Sequence, residues 1–214
     1  MHVSAAELEI TVKKAVIGAG APPGIGDEIG KAALTLYHQN VDPSPIVALA
    51  LKNLEGHDAG LFHHKKAIHG RFVPTTSQIS AILAGPSICD LIALGRGTVF
   101  AQSLDSPLLA IALIAARFLN AEIHDTSGSL HSVRCENGKF NIVKEEIDSW
   151  HNTADVKFCL RSKRSTAKQT QMNGAIEADD VCWRQIVTIA DKCLVSNSEA
   201  SRLNDAGAGL IDGD

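Results

Sequence analysis

Lys13-Lys14-Ala15-Val16-Ile17-Gly18-Ala19-Gly20-Ala21-Pro22-Pro23-Gly24-Ile25-Gly26-Asp27-Glu28 is the stretch whose reading decides the fold. An apolar run that enters a glycine-rich turn and leaves into a second apolar segment is either strand–turn–helix or helix–turn–helix. Only the residues upstream separate the two. Ser4-Ala5-Ala6-Glu7 has capping-box spacing, with a hydroxyl for a free backbone N–H and a glutamate reaching back. Leu8, Val12 and Ala15 then recur at helical spacing and leave Glu9, Lys13 and Lys14 for solvent. The spacing predicts a helix over about 5–17, a turn over 18–24, and a second helix over about 25–39. Asp27 and Glu28 favour the positive end of that second helix, and Ile29, Ala32, Ala33, Leu36 and Tyr37 form its apolar face.

Gly20-x-x-x-Gly24-x-Gly26 resembles the cofactor loop of short-chain dehydrogenases, which implies a dinucleotide-binding oxidoreductase. Three features oppose that reading. The segment before the loop reads as a helix. Pro22 and Pro23 remove two N–H donors from a loop that should bind phosphate. The family's Tyr-x-x-x-Lys is absent, since the only tyrosine is Tyr37 and Val41 stands four residues later.

The same turn carries a second resemblance. Lys14-Ala15, Gly18-Ala-Gly20 and Gly24-Ile-Gly-Asp27-Glu28 look like the start of an uncharacterised bacterial family of domains of unknown function, of about this length. The tail is similar as well, with Ser201-Arg202, Ala206-Gly-Ala-Gly209 and a closing Asp212-Gly213-Asp214. The chain departs from that pattern at Gly26, where alanine is expected, and at Gly213, where asparagine is. The resemblance supplies no transferable activity.

Outward from the turn, Asp42-Pro43-Ser44-Pro45 starts a third helix over 46–54. A helical segment follows over about 77–94, bent near Gly85-Pro86. Residues 98–104 read as a strand and 107–120 as a buried helix. Residues 122–125 read as a short strand, and 130–135 with 139–143 as a hairpin about Asn137-Gly138. Residues 156–160 are a strand, 178–194 an amphipathic helix, and 198–203 a last helical turn. Helices lead, strands cluster in the middle and a helix closes. That order predicts a single α+β domain with a mixed or antiparallel sheet covered by helices, and α/β as the alternative. A helical lobe over 1–72 and an α+β body over 73–214 is its natural subdivision.

With 214 residues, 45% hydrophobic and 21% charged, the chain can bury its own core. A formal charge of -4 gives no general attraction to nucleic acid or anionic membrane. The longest apolar run, 108–116, is stopped by Arg117 and falls far short of the ~20 residues of a membrane span. Five cysteines without a CxxC pair, and no basic-then-apolar leader, point to reduced thiols in the cytoplasm.

The chemistry-bearing residues then sort as follows. His57, Asp58, His63, His64 and His69 are metal-ligand types, but their spacing matches no known site, and Lys65 and Lys66 would repel a cation. Asp205, Asp212 and Asp214 are hard oxygen ligands beside an apolar 206–211 segment, which reads as a docking element, either for the same domain or, in a homo-oligomer, for a neighbouring subunit. Arg202 with Ser198 and Ser201 suits a carboxylate or phosphate. His131 and Cys135 would share a strand face, and Arg161 to Lys168 is a basic stretch without interleaved aromatics. No motif names a cofactor. Two function classes remain. One is an enzyme or binding protein for a small anionic molecule, using Gly18, Gly20, Gly24, Glu28, Ser201, Arg202 and Asp212. The other is a non-catalytic accessory protein with a docking tail.

Overall fold

A computed structural model describes residues 1–55, 70–75, 77–95, 97–127, 131–142, 147, 150–162 and 175–193. The chain is a single α+β domain. β1 (His2–Ser4) leads into α1 (Ala5–Gly18), where the Ser4 hydroxyl accepts from the Glu7 N–H at 3.2 Å. α1 ends because Gly20 takes φ +98, a conformation that spares glycine the usual Cβ penalty. The turn then closes with Ala21 N–H on the Val16 carbonyl at 3.1 Å, a Schellman arrangement. α2 (Pro23–His38) begins with proline inside its first turn, where a missing N–H costs nothing. α3 (Ser44–Glu55) follows, entered through the Asp42 carboxylate, which accepts from the Ser44 N–H at 2.9 Å.

β2 (Arg71–Phe72), α4 (Ala81–Ala93), β3 (Thr98–Leu104), α5 (Pro107–Ala116) and β4 (Asn120–Asp125) come next. β5 (Ser132–Glu136) and β6 (Lys139–Asn141) form the expected hairpin, with Asn137 at φ 55 and Gly138 at φ 78. β7 (Ala154–Ser162), β8 (Ala175–Glu177) and α6 (Asp180–Ala190) complete the elements, with a 3-10 turn at Asp191–Cys193. The main sheet runs β2-β3-β7-β4-β5-β6; β2 is parallel to β3 and the other pairs are antiparallel. β1 and β8 make a separate two-stranded sheet that ties the first residues to the entrance of α6.

α5 explains the layering. It is apolar on every side, and each residue from Pro107 to Ala115 is buried, so it must sit between two other layers. One is the sheet, through β4, β5 and β6; the other is α2, with α4 alongside. α1 packs on α2, and α6 packs on α1 and α3. The buried residues form one continuous core from Val3 to Ala190.

Several elements differ from the sequence reading. α4 runs on through Pro86 without interruption, and Gly85 beside it lies close on Leu113 of α5, where a Cβ would stand 3.1 Å from that side chain. α5 stops at Ala116, where Phe118 takes φ 55 and Leu119 N–H returns to the Ile114 carbonyl at 3.1 Å. β1, β2 and β8 are strands of two or three residues, too short to show a period. The helical turn expected over 198–203 lies outside the described residues. Among the described residues no helix is long and apolar enough to cross a membrane.

Candidate functional site

The glycine-rich turn joins two helices. Its glycines act mainly as packing surfaces. A Cβ at Gly26 would stand 2.9 Å from the Lys13 carbonyl oxygen, and one at Gly30 2.9 Å from that of Glu9. These two positions, four apart on α2, let α1 lie directly against it. A Cβ at Gly18 would overlap the Ile189 carbonyl of α6. Gly24 faces open space. The strand that a dinucleotide loop requires is α1 instead, and Pro22 and Pro23 have no N–H to offer.

Glu28 is engaged elsewhere. Its carboxylate accepts both Nε, at 2.7 Å, and Nη2 of Arg117, a bidentate pair. Arg117 Nη1 also reaches Asp90 at 2.5 Å and the Pro86 carbonyl at 3.4 Å. Arg117 therefore joins α2, α4 and the end of α5, and Glu28 serves that junction. Asp27 pairs with Lys13 at 2.6 Å.

A second polar group lies where α4 and α5 begin. Asp105 is 1% exposed. Its carboxylate accepts from the Ala81 N–H at 2.6 Å and from the Asn53 amide at 3.3 Å. Burial pushes its carboxyl up to about 6, against the pull of those two hydrogen bonds. The Ser80 and Ser106 hydroxyls beside it are buried, without a hydrogen-bond partner among the described residues. This group caps α4 from a distance.

The third arrangement does form a cleft. On α3, Ala48, Lys52 and Glu55 fall on one stripe; on α6, Val181, Arg184, Gln185, Thr188, Ile189 and Lys192 continue a second stripe past the helix end. The opposite stripe of α6, Trp183, Ile186 and Ala190, is buried. The two facing stripes bound about 530 Å³. Val181 leaves 66% of its surface exposed there, a large apolar side chain without a cover among the described residues. Lys192 pairs with Glu55 across the cleft. Among the described residues Lys52 and Arg184 have no ion pair, although Arg184 lies within Coulombic reach of Asp180, which also holds the N-terminal ammonium at 2.7 Å. The cleft thus carries three cations, one paired anion and an apolar floor, which suits an anion with an apolar portion.

The remaining expected residues fall as follows. Ser201, Arg202 and Asp212 lie outside the described residues, as do His57, Asp58, His63 and His69. Among the described residues no cluster of His, Cys, Asp or Glu could hold a metal. Cys135 is wholly buried and donates weakly to the Ile111 carbonyl at 3.7 Å, and burial pushes its thiol up, away from the thiolate a nucleophile needs; His131 stands before β5 begins. Arg161 is held by Glu122 at 2.9 Å. Lys52, Arg184 and Lys192 were not singled out by the sequence, where they are ordinary charges on amphipathic helices. Arg117 had a signal, as the one charge that ends a fully apolar run. Comparison with protein-family models, curated proteins and solved structures finds no match to this chain.

Proposed function

We propose that this chain is a cytoplasmic binding protein for a small anionic molecule with an apolar portion, held in the cleft between α3 and α6. One observation carries the reading: among the described residues Lys52 and Arg184 have no ion pair, and they stand beside the apolar surface of Ala48, Val181 and Ile189. Unpaired cations over an apolar floor match a carboxylate or phosphate joined to a hydrocarbon body. The expectation of an anionic ligand is kept, and its place moves from the glycine turn to this cleft. Binding is favoured over catalysis because the cleft's one carboxylate among the described residues, Glu55, is ion-paired, and its one hydroxyl, on Thr188, donates to the Arg184 carbonyl at 2.8 Å. Five free cysteines agree with a reducing compartment.

The test is thermal unfolding with a panel of alkyl carboxylates, sulfates and phosphates. A ligand at about a hundred times its Kd adds about 2.7 kcal/mol of stability, a clear rise in Tm. The rise should vanish in the Lys52→Ala/Arg184→Ala double variant. No rise with any anion, or a rise kept in full by that variant, refutes the reading.

A further inference from the structure

The balance of charge and donors in this cleft narrows the ligand. Lys192 and Glu55 neutralise one another, which leaves the charges of Lys52 and Arg184 uncompensated by any ion pair among the described residues. The donors outnumber the acceptors. A guanidinium offers a planar fork, an ammonium a point charge, and Gln185 an amide N–H. A carboxylate brings one charge and two oxygens to such a set. A phosphate monoester brings nearly two charges and three oxygens, enough for both cations and the amide together. The apolar lining of Ala48, Val181 and Ile189 has no use for a bare phosphate ion, and a volume of about 530 Å³ is of small-molecule size.

We infer that the molecule recognised between α3 and α6 is a soluble phosphate monoester with an apolar body, bound as its dianion. The inference rests on the anion-binding reading above and goes one step further. Arg184 takes two phosphate oxygens through its fork, Lys52 takes the third, and the hydrocarbon part covers Val181.

Calorimetric titration of the full chain with hexyl phosphate, hexyl sulfate and hexanoate tests it. Hexyl sulfate has the same shape and the same tail but a single charge. At about pH 7.5 hexyl phosphate should bind at least about tenfold more tightly than either monoanion, and at about pH 5, where it too is a monoanion, that advantage should disappear. Lys52→Ala and Arg184→Ala should each weaken hexyl phosphate by about tenfold. Lys139→Ala, on the far strand of the sheet, should leave it unchanged. Equal binding of phosphate, sulfate and carboxylate would overturn the dianion while leaving an anion site standing. Inorganic phosphate binding as tightly as the ester would overturn the apolar body. Pelleting with phosphatidylcholine vesicles that contain phosphatidic acid, without binding of the soluble ester, would overturn the soluble ligand. Binding of none of these anions would remove both the inference and the reading beneath it.

Discussion

Asp105→Asn should make the chain less sensitive to pH and no less stable at neutrality. The Asp105 carboxyl is buried, its two hydrogen bonds come from uncharged donors, and no described cation pairs with it. Burial therefore dominates and lifts it from 3.8 to about 6. The sign follows from proton binding. The folded chain holds this proton more tightly than the unfolded chain, so stability from this group is full below about pH 4 and is lost as pH rises towards about 6. At ~1.4 kcal/mol for each tenfold change, the loss is about 3 kcal/mol. An asparagine has no charge to desolvate, and its carbonyl oxygen can accept from the Ala81 N–H as the carboxylate does, while its amide nitrogen gives up the bond from Asn53 at a cost of about 1 kcal/mol that does not vary with pH. Urea denaturation of both proteins across about pH 4–8 gives the difference in stability at each pH, in which the other carboxylates cancel. That difference should shift in favour of the variant by up to about 3 kcal/mol between about pH 4 and 7. Asp105→Ala should instead cost about 1–3 kcal/mol at low pH, because the Ala81 N–H loses its acceptor. A difference between parent and Asn variant that stays flat with pH would refute the reasoning.

The glycines of the turn region should respond with opposite signs. Gly24→Ala enters open space near the start of α2 and should stabilise by up to about 1 kcal/mol. Gly30→Ala drives a Cβ to 2.9 Å from the Glu9 carbonyl and should cost about 1–3 kcal/mol despite alanine's better helix propensity, as the two Tm values would report. Arg117→Met should cost about 2 kcal/mol by leaving Glu28 partly buried without its partner, and adding Glu28→Gln should restore part of that, measured as a double-mutant cycle. Native thiol titration should leave Cys89 and Cys135 unreactive, since burial pushes Cys89 up to about 12 and raises Cys135 further; both should titrate only in denaturant.

Much of the fold was legible where local chemistry and tertiary packing agree. The Ser4 cap, the fully apolar Leu108–Ala115 stretch and the Asn137-Gly138 turn each have one stable solution, and the structure adopts it. The reading failed where a neighbour decides. Pro86 predicts an interruption or a bend, yet α4 is unbroken from Ala81 to Ala93. β2 and β8 owe their strand geometry to partners that lie 29 and 173 residues away in sequence, Phe100 for Arg71 and Val3 beside Ile176. No periodicity within two or three residues can encode such a pairing.

The glycine turn was legible as a link between two helices, but what its glycines meet was not. Glycine permits close approach, and the sequence does not say whether the thing approaching is a pyrophosphate or another helix. The spacing carries the distinction. Gly26 and Gly30 are four apart and so share one face of α2, which is what a helix–helix contact needs, whereas a phosphate loop needs its glycines before the helix begins. The cleft shows the converse. Lys52 and Arg184 lie 132 residues apart and line one cleft because α3 packs on α6, and α6 in turn seats its Ile189 carbonyl against Gly18 of α1. A side chain at position 18 would push α6 outward and move the wall that carries Arg184. Gly18→Ala should therefore weaken anion binding in the cleft even where enough stability remains to measure it, while Gly24→Ala, on the other side of the same turn and facing open space, should not.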